Sequence, residues 1–227
     1  VESSPLPIGG SFSAGLHLDG SIPYGSSQGD LQKILENLRG DLIIDSLRLV
    51  VGDSRVQNRD GIKISFADRN LVVPGFQLLT SPSERAQKPT GSITASGRIG
   101  MDETFELDLS GEGLNPGMAA FILSPQTPVN GNVDFKLHAK GRFDSPSIAL
   151  SLTARNLSLP ISATNGGTKI DRLLCELSYS DEIFNLKELQ VNSFDNEMSV
   201  NGTLPARLSL MPISLEFPDR RMDAKLV

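Results

Sequence analysis

Val133-Asp134-Phe135-Lys136-Leu137-His138-Ala139-Lys140-Gly141 is the stretch whose reading decides the fold. Apolar and polar residues alternate, and a glycine closes the run. A period of two sends one set of side chains to each face of a sheet. Phe105-Glu106-Leu107-Asp108-Leu109-Ser110-Gly111 repeats the pattern. So do Ile93-Thr94-Ala95-Ser96-Gly97 and Met198-Ser199-Val200-Asn201-Gly202. Working outward, such runs follow one another along most of the chain. The spacing predicts an all-β protein of about fourteen strands, with turns roughly every ten residues. Leu42 and Ile44 hold one parity, while Leu47, Leu49 and Val51 hold the other. A β-bulge near Asp45-Ser46 would restore the face.

Two stretches depart from this rhythm. Leu31, Ile34, Leu35 and Leu38 stand at helical spacing, so Gln28 to Leu38 predicts a short amphipathic helix with Gly40 as its C-cap. Asn115 to Leu123 predicts a second, with Pro116 in its first turn. Asp53 to Asp60 reads as a polar turn region of solvated charges, and Thr80 to Gly91 as a loop at the sheet edge. Leu208 to Phe217 reads as one more strand. Residues 1–40 are expected to form a partial strand unit plus the first helix, and residues 41–227 a repeated strand module. The whole is expected to be one elongated domain cut from a longer chain.

Composition narrows the function. The 227 residues carry a formal net charge of −6, which argues against nucleic acid and against docking on anionic lipid heads. Trp is absent, and two Tyr and ten Phe leave few stacking platforms for bases or sugars. Cys175, alone of its kind, allows no internal disulfide and sits in a strand pattern as a small buried hydrophobe. His17 and His138 lie far apart at outward parity, so no His-based metal site is expected. Gly111-Glu112-Gly113-Leu114-Asn115-Pro116-Gly117 lacks the spacing and the βαβ setting of a phosphate-binding loop. No Gly-x-Ser-x-Gly elbow is present. The chain is expected not to be an enzyme and to need no cofactor or metal.

The order of these units resembles a known family. Gly131-Asn132-Val133-Asp134-Phe135 through Gly141-Arg142-Phe143-Asp144-Ser145-Pro146-Ser147-Ile148 resembles a recurring unit of strand, glycine, a few residues, proline and strand. Ile170-Asp171-Arg172-Leu173 through Asn201-Gly202-Thr203-Leu204 resembles a closing unit. Together with Leu42 to Asp60, Ile62 to Leu79 and Leu107 to Leu123, these are similar to the periplasmic repeat region of the TamB family. That family belongs to the AsmA-like group of bridge-like lipid-transfer proteins. The resemblance implies an elongated, U-shaped β-groove with an apolar interior that moves phospholipid between inner and outer membrane. It also implies a periplasmic location, an inner-membrane anchor outside this chain, a TamA- or Omp85-like β-barrel partner in the outer membrane reached through the parent protein, and a role in outer-membrane biogenesis and protein assembly.

Phospholipid tails leave a membrane at a cost of about 0.8 kcal/mol per methylene, so a chain of about fifteen costs on the order of 12 kcal/mol. Strands stacked about 4.8 Å apart would line an apolar trough; fourteen would give roughly 65 Å, about twice a bilayer's hydrocarbon core. The lining expected is Leu107, Leu109, Val133, Phe135, Leu137, Ile148, Leu150, Leu152, Met198 and Val200. Periodicity alone favours another use of the same residues, the dry core of a sandwich; the resemblance favours the groove. An adhesin-like structural β-domain and a chaperone-like scaffold that adds a client strand to its edge stay open as alternatives. Exposed sheet edges further predict edge-to-edge self-association.

Overall fold

The computed structural model describes residues 8–19, 39–51, 54–83, 86, 88–116, 129–159, 168–194, 196–217 and 223–226. All regular structure among them is β. The strands are β1 (Ile8–Asp19), β2 (Arg39–Val51), β3 (Ser54–Asn58), β4 (Ile62–Ala67), β5 (Asn70–Ser81), β6 (Gly91–Gly100), β7 (Thr104–Leu114) and β8 (Asn130–Arg142). They continue as β9 (Ser145–Leu159), β10 (Thr168–Ser180), β11 (Ile183–Ser193), β12 (Asn196–Pro205), β13 (Arg207–Leu210), β14 (Ile213–Glu216) and β15 (Asp223–Leu226). The expected helix at 28–38 lies outside the described residues, as does 117–123 of the second.

Thirteen strands form one sheet in the order β1-β2-β3-β5-β6-β7-β8-β9-β10-β11-β12-β15, and β4 lies between β2 and β5 beyond the end of β3. Every pair is antiparallel, and neighbours in sequence are mostly neighbours in the sheet. Where the link is two or three residues, as between β6 and β7, β8 and β9 or β10 and β11, only an antiparallel partner is within reach, since a parallel one needs a long crossover. Two further strands, β13 and β14, pair only with each other.

Because β3 and β4 share one position and β13–β14 leaves the sheet, the width is twelve strand positions rather than fourteen. Eleven spacings of about 4.8 Å give roughly 53 Å.

The parity switch in β2 is a bulge, as its sequence predicts. Ser13 faces Ser46 and Ala14 faces Ile44, so Asp45 is the extra residue. A second irregularity at Pro74-Gly75 lets Leu71 and Val73 join Phe76 and Leu78 in one strand, β5. Three readings need correction. Gly40 is no helix cap: the β1–β2 ladder runs on to Asp19 and Arg39, which places Gly40 inside β2. Within Asp53 to Asp60, Ser54–Asn58 is a strand whose Val56 is only 7 % exposed, held between β2 and β5. Leu208 to Phe217 is a hairpin, because Pro212 stands at its turn, between the strands.

Large side chains are scarcely buried. Among the described residues only nine apolar side chains are buried, and three of those are the alanines of the sheet interior. Among the described residues the large sheet has only the four-residue strands of β13–β14 beside it, too little to make a thick core. The ladder hydrogen bonds and the half-buried face hold it instead.

Candidate functional site

Register converts the alternating pattern into rows that cross strand after strand. Phe76, Ala95, Leu109, Leu137, Leu150, Leu177 and Leu186 face one another in sequence from β5 to β11. A second row is Leu78, Ile93, Gly111, Phe135, Leu152, Cys175, Leu189 and Val200, ending on β12. Leu107, Ala139, Ile148, Tyr179, Phe184 and Leu204 make a third. Leu114, Val133, Ala154, Leu173, Val191 and Met198 make the fourth. All ten residues read from sequence as the lining therefore stand on four adjacent rows of one face.

Alanines report how sheltered that face is. Ala95, Ala139 and Ala154 lie on it and are 8 %, 5 % and 1 % exposed. Ala149, one residue from Ile148 and Leu150, points to the other face and is exposed. The same side chain is thus covered on one face and bare on the other. The larger residues of the rows occupy an intermediate state. Leu107 and Met198 are exposed, at 37 % and 42 %, and the other eight lining residues are half-buried. Cys175 is half-buried as well, less enclosed than its strand pattern suggests, and burial still pushes its thiol pKa up.

The hairpin β13–β14 bears on this face at the end where the β8–β9 and β10–β11 turns lie. Three backbone amides anchor it: Ala206 donates to the Glu182 carbonyl at 2.9 Å, Leu208 to the Tyr179 hydroxyl at 2.8 Å, and Leu210 to the Phe143 carbonyl at 2.7 Å. The Arg207 guanidinium adds a 2.9 Å contact to the Glu182 carboxylate. Ala206 and Tyr179 beneath are 0 % and 3 % exposed.

A cavity opens on each side of the hairpin. One, of about 260 Å³, runs between Leu210, Phe143 and the sheet residues Leu71, Val73, Ile99 and Leu107. The Phe143 ring stacks on Phe105 there, with centroids 5.1 Å apart. The other, of about 380 Å³, lies between Leu215 and Phe217 on the hairpin side and Phe184, Leu186, Val200 and Leu204 on the sheet. Neither Phe143 nor the hairpin was legible as lining. Phe143 sits in the turn joining two strands, where periodicity says nothing, and its one signal is an aromatic among turn residues.

The opposite face is polar. Asp108 and His138 face each other with Oδ1 and Nδ1 2.8 Å apart, and Arg155 lies 3.4 Å from Asp134. A depression of about 560 Å³ there lies among Asp108, Lys136, His138, Glu176 and Lys187. It is larger than either apolar cavity, but its charges are mixed and mostly exposed, so it is space between long surface side chains. At the sheet margin the Phe194 amide, and then Lys169, hold the Asp171 carboxyl below the usual carboxylate range. Among the described residues no group of three His, Cys, Asp or Glu side chains could hold a metal ion. No helix among them is long and apolar enough to cross a membrane.

The chain matches no protein-family model, no curated protein and no solved structure. The reading of function therefore stands on the geometry of the face and on the strand units quoted from the sequence.

Proposed function

We propose that this chain is a segment of a TamB-like hydrophobic conduit that carries phospholipid acyl chains between the inner and outer membrane. The observation that carries the reading is the run of four apolar rows across β7 to β12, half-buried for the most part and, among the described residues, covered only by the short hairpin β13–β14 at one end. An apolar face that a protein leaves without a partner layer is a place for an apolar ligand. Its lining is aliphatic for the most part, which suits a ligand that slides rather than lodges. On this reading the chain works in the periplasm, its parent is anchored in the inner membrane, and a TamA-like barrel receives the lipid at the outer membrane.

A photo-crosslinking side chain placed singly at Leu150 and at Ser151 of the protein in cells tests this. The two positions are adjacent in β9 and point to opposite faces. Phospholipid adducts at position 150 and none at 151, identified by mass spectrometry, are the expected result. Protein-only adducts at both would mean the face is closed, and the structural β-domain would replace the conduit.

A further inference from the structure

The hairpin β13–β14 is built with the sheet's own alternation. Leu208 faces Leu215 and Leu210 faces Ile213, so four apolar residues share one side, while Arg207, Ser209, Ser214 and Glu216 share the other. The apolar side meets the apolar sheet face only in part. Leu210 reaches into one cavity, but Leu215 and Phe217 remain 49 % and 61 % exposed beside the larger one. Two apolar walls here stand apart with a gap of about 380 Å³ between them. A protein closing this gap with its own side chains would remove that area from water, and this one leaves it open.

We propose that the gap between the hairpin and strands β11–β12 is a two-walled slot that grips one acyl chain. The inference rests on the conduit reading and goes beyond it, because it places a specific clamp on an otherwise one-walled face. The gap is open to solvent rather than enclosed, and its roughly 380 Å³ equals the volume of about a dozen methylenes at about 30 Å³ each. Asn201 and Thr203 are the polar residues at its walls, and strand alternation sends their side chains to the other face. No charged side chain lines it. A peptide strand is less suited, since β11 is hydrogen-bonded to both its neighbours, and backbone partners among the described residues remain only on the outer edge of β14 and on the part of β12 that β15 does not reach. An unbranched hydrocarbon chain asks for none. The anchors at Ala206, Leu208 and Leu210 fix the start of the hairpin, and β14 follows as the outer wall.

The absence of Trp makes the test direct. Phe217→Trp puts a single fluorophore in the slot, and Phe12→Trp puts one on the bare apolar face of β1. Phe12 and Phe217 are 75 % and 61 % exposed, so both tolerate the larger ring and start from comparable surroundings. The probe is dibromostearate, whose bromines quench Trp emission on contact, titrated into the full chain. The second wall predicts half-quenching of Phe217→Trp at about tenfold lower probe than Phe12→Trp. That ratio corresponds to about 1.4 kcal/mol, the burial of fewer than two additional methylenes. Equal quenching at both positions, or stronger quenching at position 12, would overturn the slot and leave the conduit reading standing. No quenching at either would overturn both.

Discussion

Gly111 shows what one residue does for the apolar face. It faces Phe135 across the β7–β8 ladder, in the row that continues to Leu152 and Cys175. A Cβ at this position would run into the Phe135 ring and the Leu114 side chain. The aromatic ring lies over the glycine, the one empty position in the row, and fills the space a side chain would take. Gly111→Ala would push the ring out of its place or strain its rotamer. The expected cost is about 1–3 kcal/mol, the usual range for overpacking. A urea titration followed by circular dichroism checks it: the unfolding midpoint falls while the slope with denaturant is unchanged. An unmoved midpoint would mean that Phe135 has room to yield.

At the scale of elements, β2 changes partner at a joint partway along its length. Its residues 40–44 pair with β4 and its residues 48–51 pair with β3, and the bulge at Asp45 lies between. Asn58 bridges that gap with its amide. Its Oδ1 accepts from the Leu47 amide at 2.7 Å, and its Nδ2 donates to the Asp45 and Asp60 carbonyls at 3.1 and 2.8 Å. A side chain here stands in for the ladder that two short strands cannot supply. Asn58→Ala leaves the Leu47 N–H without its acceptor and should cost about 1–3 kcal/mol. Hydrogen exchange reads it: the amides of β3 and β4 lose protection while those of β8 and β9 keep theirs. Uniform loss across the sheet would show that the joint is not a local one. The same joint marks where sequence was hard to read. β8, β9 and β12 declare themselves because alternation runs unbroken over many residues. β3 has Val56 alone as a large apolar residue, so a buried strand looked like a charged turn. In the hairpin β13–β14 each arm alternates, but the parity of Leu208 and Leu210 gives way to that of Ile213 and Leu215 across Met211-Pro212, and a parity switch at a proline reads as easily as a bulge as it does as a turn. Alternation says which side chains share a face, but it is silent on where a strand leaves its sheet.

For the whole molecule, the faces are legible in sequence and the ends are not. Parity groups the lining residues within each strand and register joins them into one face, yet nothing in parity distinguishes a row that stops from a row that continues. The structure makes the two ends unequal. β12 carries β15, four residues long, on part of its length. β1 is twelve residues long, and among the described residues no strand pairs with its outer edge. Phe12, Leu16 and Leu18 stand on it 75 %, 67 % and 58 % exposed, and the apolar face runs up to this edge through Leu42 and Ile44. A long edge with apolar residues beside unpaired backbone groups is a template for another strand. In a solenoid the neighbouring repeat takes that place; in the isolated chain a second copy can. Sedimentation velocity should therefore show association that grows with concentration. Leu16→Lys should reduce it, because a charge would then sit on the apolar face where the second copy's strand must continue it, while its exposure leaves the fold undisturbed. Association that persists unchanged in Leu16→Lys would mean that copies meet elsewhere, with the exposed hairpin residues Met211 and Ile213 the next surface to alter.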